Sequence, residues 1–355
     1  SLSLPKGGGA IQGIGEKFTA NPVTGTSALS IPIPTSLGRG GFGPDLTLGY
    51  DSGAGNGPFG FGWHLSLPAI TRKTAKGLPR YRDAEESDVF LLSNSDDLVP
   101  MQNSDGDRVR DPGIAPGYTV DRYRPRIEGL FARIERWTRN SDGDIHWRSY
   151  SADNILTLYG RDANSRIVDP SDPQRVFSWL ISESRDLNGN VILYEYKAED
   201  GIGIDLSQVH ERNRGGADDP ARGANRYLKR ILYGNREPLL DAQGQRPSFL
   251  SVEDADATDW LFEVVLDYGE GHTERLTGEG DEQQFVSAQP NEPLDHSWPA
   301  RQDPFSTYRP GFEVRTNRLC RQVLMFHNFP DALGVSGYPV RATRFAFEES
   351  PTASY

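Results

Sequence analysis

Short runs that alternate apolar with polar residues, or are dense in β-branched and aromatic side chains, recur along the whole chain. ALSIPIP (28–34), DVFLL (88–92), YTVDRYR (118–124), LFARIERWT (130–138), ILTLYG (155–160), FSWLISES (177–184), NVILYEY (190–196), WLFEVVLDYG (260–269) and VRATRFAFEE (340–349) are the clearest. Period two puts one face of each run on a core and the other toward solvent, and the Gly, Pro, Asn and Asp that bound the runs turn the chain between them. This pattern predicts a mostly β fold: a large antiparallel sheet assembly with long loops and little helix. RGANRYLKRILYG at 222–234 is ambiguous, because Tyr227, Lys229, Ile231 and Tyr233 suit a strand while the length suits a helix.

The 355 residues include 38 Gly and 25 Pro, which allows two or three domains or one large β architecture. Polar, glycine-rich segments at 200–225 and 270–311 read as surface loops, and 200–225 is the place where an internal division of the 1–355 unit is expected, if there is one. A formal charge of −12 argues against a sequence-independent grip on nucleic acid. The single cysteine, Cys320, excludes an internal disulfide and sits in the apolar-rich RLCRQVLMF, where a buried thiol is expected. No run approaches the roughly 18 apolar residues of a membrane-spanning helix. The chain opens on SLSLPKGGG without Met and stops in EESPTASY, so a piece of a longer protein is expected.

Gly55 to Gly60 reads GNGPFG, a literal G-x-G-x-x-G. A dinucleotide site needs that loop to follow a strand and open a helix, whose free N–H groups hold the pyrophosphate. Here Phe61, Trp63, Leu65 and Leu67 alternate with Gly62, His64 and Ser66 before Pro68, so a strand follows. The loop is therefore predicted to be a turn between strands, with no nucleotide. Phe59 and Phe61 are expected to pack inward; the alternative is a surface-binding loop of Phe59, Phe61 and Trp63.

NSDGD occurs at 103–107 and at 140–144, and DLNGN at 186–190 is close. These are Asn/Asp-Gly hairpin turns. As calcium loops they lack a distal bidentate Glu, since position 12 counted from Asp186 is Lys197. The histidines at 64, 146, 210, 272, 296 and 327 are too scattered for a zinc signature, and no G-x-S-x-G or Walker loop is present. The sequence thus predicts no catalytic residue, no metal and no cofactor.

SLPKGGGAIQGIGEKF (3–18), YDSGAGNGPFGFGWHLSLPAITRKTAKGLPRYRD (50–83), RDLNGNVILYEY (185–196), RYLKRILYGN (226–235), LFEVVLDYGE (261–270) and ARQDPFSTYRPGFEVRTNRLCRQVLMFHNFPD (300–331) closely resemble the SpvB domain. That domain is shared by a Salmonella plasmid virulence protein and by TcB/TcaC-type subunits of insecticidal Tc toxin complexes. The resemblance implies a secreted protein acting on host cells, in which this region forms part of an RHS/YD-repeat-like shell. It implies as partners a downstream toxin domain of the same polypeptide and, in a toxin complex, TcA-type and TcC-type subunits. An attached ADP-ribosyltransferase would carry E-x-E, which is absent here, so any such activity would lie beyond Tyr355. The function expected is a non-catalytic shell, delivery or translocation module, with a host membrane- or glycan-binding module as the alternative.

Overall fold

A computed structural model of the chain describes residues 17–20, 27–93, 96–111, 114–126, 131–275, 285–293 and 297–348. The described elements are mostly antiparallel strands, and the α-helices among them are two short ones, Val252–Asp256 and Pro330–Leu333. The predicted β fold is what forms. Most of the opening stretch of the family resemblance, 3–18, lies outside the described residues.

Eight strands close into a ring. Antiparallel pairing runs from Ala69–Arg72 through Phe90–Leu92, Asp96–Pro100, Tyr118–Pro125, Phe131–Arg139, Ile145–Ser151 and Leu156–Tyr159 to Asp172–Arg185. The last strand then pairs back onto the first through Ser178↔Thr71, Trp179↔Ile70 and Leu180↔Ala69. Closure satisfies the edge N–H and C=O groups that an open sheet would leave unpaired. Inside, Trp147 lies between Phe90 and Tyr123, with ring centroids 4.9 Å away on each side, and Phe90 also meets Trp179 at 5.8 Å. Edge-to-face pairs of this kind each add about 0.5–1.5 kcal/mol beyond their area burial.

The 14-residue strand Asp172–Arg185 is longer than the ring needs, and that excess extends the fold. Its C-terminal end also pairs with Val191–Ala198. An open sheet continues from there through Arg226–Asn235, Trp260–Asp267, Gln322–His327 and Tyr338–Arg344. The ambiguous run at 222–234 is thus resolved as a strand. A partner on each side supplies ladder hydrogen bonds that a helix could not use, and Tyr227, Ile231 and Tyr233 are buried. A further sheet of Lys17–Ala20, Ser27–Ile33, Leu46–Asp51 and Trp63–Leu65 packs Ile33, Leu46 and Leu48 into the same core as Ile70, Trp179 and Tyr233.

All three Asn/Asp-Gly segments are tight turns. Asn103 Oδ1 accepts from the N–H groups of Asp105 and Asp107, Asp142 Oδ1 from that of Asp144, and Asp186 Oδ1 from those of Asn188 and Asn190. The side-chain oxygens that a calcium ion would require are therefore engaged by backbone donors. The melting temperature should move by less than about 1 °C between excess calcium and excess chelator, because binding to the native state stabilises only in proportion to RT ln(1 + [L]/Kd). A reversible rise of several degrees in calorimetry would contradict this.

Candidate binding site

Within GNGPFG, Asn56 pairs with Phe61 and Gly57 with Gly60, so Pro58 and Phe59 form the two-residue loop of a miniature hairpin. The strand Trp63–Leu65 follows, as predicted, where a dinucleotide site would open a helix. Gly60 has φ +98°, and a Cβ there would come within 3.1 Å of the Phe347 ring. At Gly62, φ +79° combines with a Cβ position 2.5 Å from the Tyr50 ring. Both positions require glycine for conformation and for space.

The hairpin is tied to the far end of the chain. Pro58 O accepts from Cys320 N–H at 2.7 Å, while buried Arg301 donates to Gly57 O at 3.0 Å and to Asn56 Oδ1 at 3.2 Å. Its carbonyls are thus occupied by buried donors from elsewhere in the chain, whereas a phosphate cradle presents free N–H groups.

The three aromatics singled out from the sequence separate. Phe59 is buried and meets the edge of Phe345, with centroids 6.1 Å apart. Trp63 is half-buried against Tyr50 at 5.1 Å. Phe61 is 67% exposed, which corrects the expectation that it packs inward. The reason is register: Phe61 lies opposite Asn56 in a two-stranded ladder whose outer face has no covering layer.

Phe59 and Trp63 instead wall a cavity of about 740 Å³. Tyr196, Tyr227 and Tyr268 complete its aromatic lining, and Arg226 also lines it. The three tyrosine hydroxyls are engaged elsewhere: Tyr196 donates to Ile181 O, Tyr268 to Leu228 O, and Tyr227 to Glu199. Sequence reasoning missed this set because it depends on which strands become neighbours. Alternation within Tyr227-x-Lys229-x-Ile231 was the available signal, and it gives a face but no partner.

A second, more polar cavity of about 850 Å³ opens at one end of the barrel. Its rim acids are all paired: Asp83 with Arg72, Glu85 with Arg82, Glu86 with Arg108, Asp121 with Arg110 and Arg136, Asp142 with Arg139, and Asp144 with Arg166. Such pairs hold the loops in place and leave no carboxylate set apart as an acid or base.

Glu270, His272 and Glu292 bring ligand-type atoms within 4.8 Å of one another. Lys229 is among them: its ammonium donates to Glu270 and to Leu266 O, and lies 2.6 Å from His272 Nε2. Burial would raise the Glu270 carboxyl, but hydrogen bonding with His272 and the Lys229 charge outweigh it and hold the group at about 2. The lysine thus supplies the positive charge that this carboxylate needs. Cys320 is fully buried, and burial together with the charges of Asp267 and Glu270 pushes its thiol well up, opposite to what a nucleophile requires.

Residues 21–329 match the family model described as Salmonella virulence plasmid 65kDa B protein, SpvB. The chain belongs to the SpvB family. The mono(ADP-ribosyl)transferase SpvB of Salmonella choleraesuis (strain SC-B67) is 39% identical over 357 residues, an alignment covering 98% of this chain and 54% of that protein. The chain therefore spans about half the length of such SpvB relatives. The N-terminal domain of the effector SpvB from Salmonella typhimurium strain LT2 superposes with a TM-score of 0.72 at 38% identity, over 90% of this chain and 94% of that one. TcdB2-TccC3 superposes at 0.75 with 36% identity, over 99% of this chain but only 16% of the other. The Photorhabdus luminescens Tc holotoxin pore gives 0.74 at 37%, over 99% and 15%. The SpvB fold seen here thus occurs both in a virulence effector and inside much longer toxin chains.

Proposed function

We propose that this chain is the non-catalytic N-terminal module of a secreted bacterial toxin or virulence effector, acting on host cells as a shell, delivery or translocation component. Its cargo would be a toxic domain in the same polypeptide, of ADP-ribosyltransferase type in an SpvB-like parent. In a toxin-complex parent its partners would be TcA-type and TcC-type subunits. Residues 1–355 would act as one unit, with 200–225 the place of any internal division.

The observation that carries this reading is the strand Tyr338–Arg344. It is the last strand of the open sheet, paired on one side only among the described residues, and Tyr338 to Arg341 are exposed. Tyr338 and Val340 are 44% and 41% exposed, an apolar content that an isolated edge normally avoids. A following segment of a longer chain would cover it by strand addition. Arg341 and Arg344 discourage self-pairing in its absence.

Extending the chain with its native downstream sequence should raise the melting temperature and slow amide exchange at 338–344. No change in either would favour the alternative, a self-contained host membrane- or glycan-binding module. For that alternative the specific support is Phe61, exposed at the rim of a rigid hairpin beside Trp63. Liposome and glycan-array binding, with Phe61→Ser as the control, would measure it.

A further inference from the structure

The cavity walled by Phe59, Trp63, Tyr196, Tyr227 and Tyr268 combines three properties. Its volume, about 740 Å³, lies within the range of roughly 300–1,000 Å³ typical of small-molecule sites. Its tyrosines present ring surface only, since their hydroxyls are bonded to Ile181 O, Leu228 O and Glu199. And its one arginine has no acid. Arg82, Arg110 and Arg136 at the barrel mouth each hold a carboxylate, as do most buried arginines of this chain.

Arg226 donates from Nη1 to the carbonyls of Gly223, Ala224 and Asn225, and its buried Nε has no partner. Among the described residues no carboxylate pairs with it; Asp162 acts only at longer range, and burial lowers the affinity of the guanidinium for its proton. A half-buried guanidinium without a counter-charge favours an anion, and an aromatic wall without free hydroxyls favours an apolar body over a polyol.

We propose that this cavity binds a small amphipathic carboxylate, an acyl chain or apolar ring packed between Phe59, Trp63 and the tyrosines, with its carboxylate on Arg226. The other ionisable lining groups do not compete for the head group. Asp51 accepts from Gly53 N–H, and His64 is exposed at the rim. The cavity adjoins the segment just after the sheet edge, where Phe345 meets Phe59, and its proposed ligand does not depend on which parent the module serves.

The test uses the whole chain with laurate and its neutral counterpart dodecanol, both below their aggregation limits, in titration calorimetry and tryptophan fluorescence. Laurate should bind about tenfold more tightly than dodecanol, the ratio expected from one charge-assisted contact of about 1.4 kcal/mol. Arg226→Gln should reduce laurate to the dodecanol level and leave dodecanol unchanged, whereas Arg226→Lys should retain most of the difference. Ala54→Trp, at another residue lining the cavity, should abolish both. Equal binding of the two ligands to the unaltered protein, laurate binding that survives Arg226→Gln, or no laurate binding up to about 1 mM would each overturn the proposal. If Arg226→Gln does not fold, the ligand pair and Ala54→Trp decide.

Discussion

Gly160→Val should prevent the barrel from closing, with a loss of at least about 4 kcal/mol in urea unfolding, a size reserved for a few named mechanisms. Gly160 has φ +63°, where an L side chain costs roughly 1–2 kcal/mol, and its built Cβ lies 2.3 Å from Trp179 Cδ1 and 2.8 Å from Trp179 Cβ and Cγ. Trp179 cannot retreat. It is fully buried, its indole N–H donates to Ile145 O at 2.8 Å, and Phe90, Trp147 and the Arg72 guanidinium pack on it. Gly160 also donates its own N–H to Leu180 O, in the strand that closes the ring. Gly143→Val is the control: φ is +76°, yet nothing lies within 4 Å of its Cβ, so only the conformational cost of about 1–2 kcal/mol should appear. Equal losses in the two variants would show that Trp179 has room to move and would refute the packing argument.

Glu211→Ala should be nearly as damaging. This carboxylate is 2% exposed and receives Arg222 and Arg214 at 2.6 Å and Arg315 at 2.7 Å, which ties the 200–225 segment to the strand Val314–Thr316. Arg214 keeps Glu313, but Arg222 and Arg315 would be left buried with no carboxylate. Stranding a buried charge costs about 3–5 kcal/mol. Burial alone would raise the Glu211 carboxyl; the hydrogen bond from Arg222 and the charges of Arg315 and Arg214 outweigh it and hold the group below its ordinary value. Its stabilising contribution is therefore complete above the unfolded-state value, near 4.5, and is lost as pH falls through the lower folded-state value. Glu270, held at about 2, acts in the same direction. The part of the stability that Glu211 and Glu270 supply should stay level from pH 7 to about 5 and fall below about 4.5, and Glu211→Gln should flatten part of that fall. An unchanged pH profile in Glu211→Gln would remove this residue from the account.

The mostly antiparallel β architecture was legible because period-two runs and Asn/Asp-Gly turns are local properties of the chain. Asn103, Asp142 and Asp186 bond backbone groups two to four residues away, so the turns form wherever the chain is placed. That a strand follows GNGPFG was legible for the same reason: the residues after Gly60 already spell one. Family membership was equally accessible, because it rests on long strings of matching residues and on no contact.

What sequence could not supply is anything that depends on which strands meet. The sequence puts Gly143 in an Asp-Gly turn and Gly160 at the end of a strand run, but nothing local tells that Gly160 faces Trp179. Phe59 and Phe61 stand two residues apart with the same chemistry, and only the uncovered face of a two-stranded ladder leaves one exposed while Phe345 covers the other. Arg226 is one of many arginines until the fold brings carboxylates to most of the buried ones and, among the described residues, none to it. Local hydrogen bonding and hydrophobic alternation determined the elements of this protein. Long-range strand pairing, above all Asp172–Arg185 closing the ring on one end and starting the open sheet at the other, decided where its cavity, its unpaired charge and its free edge lie.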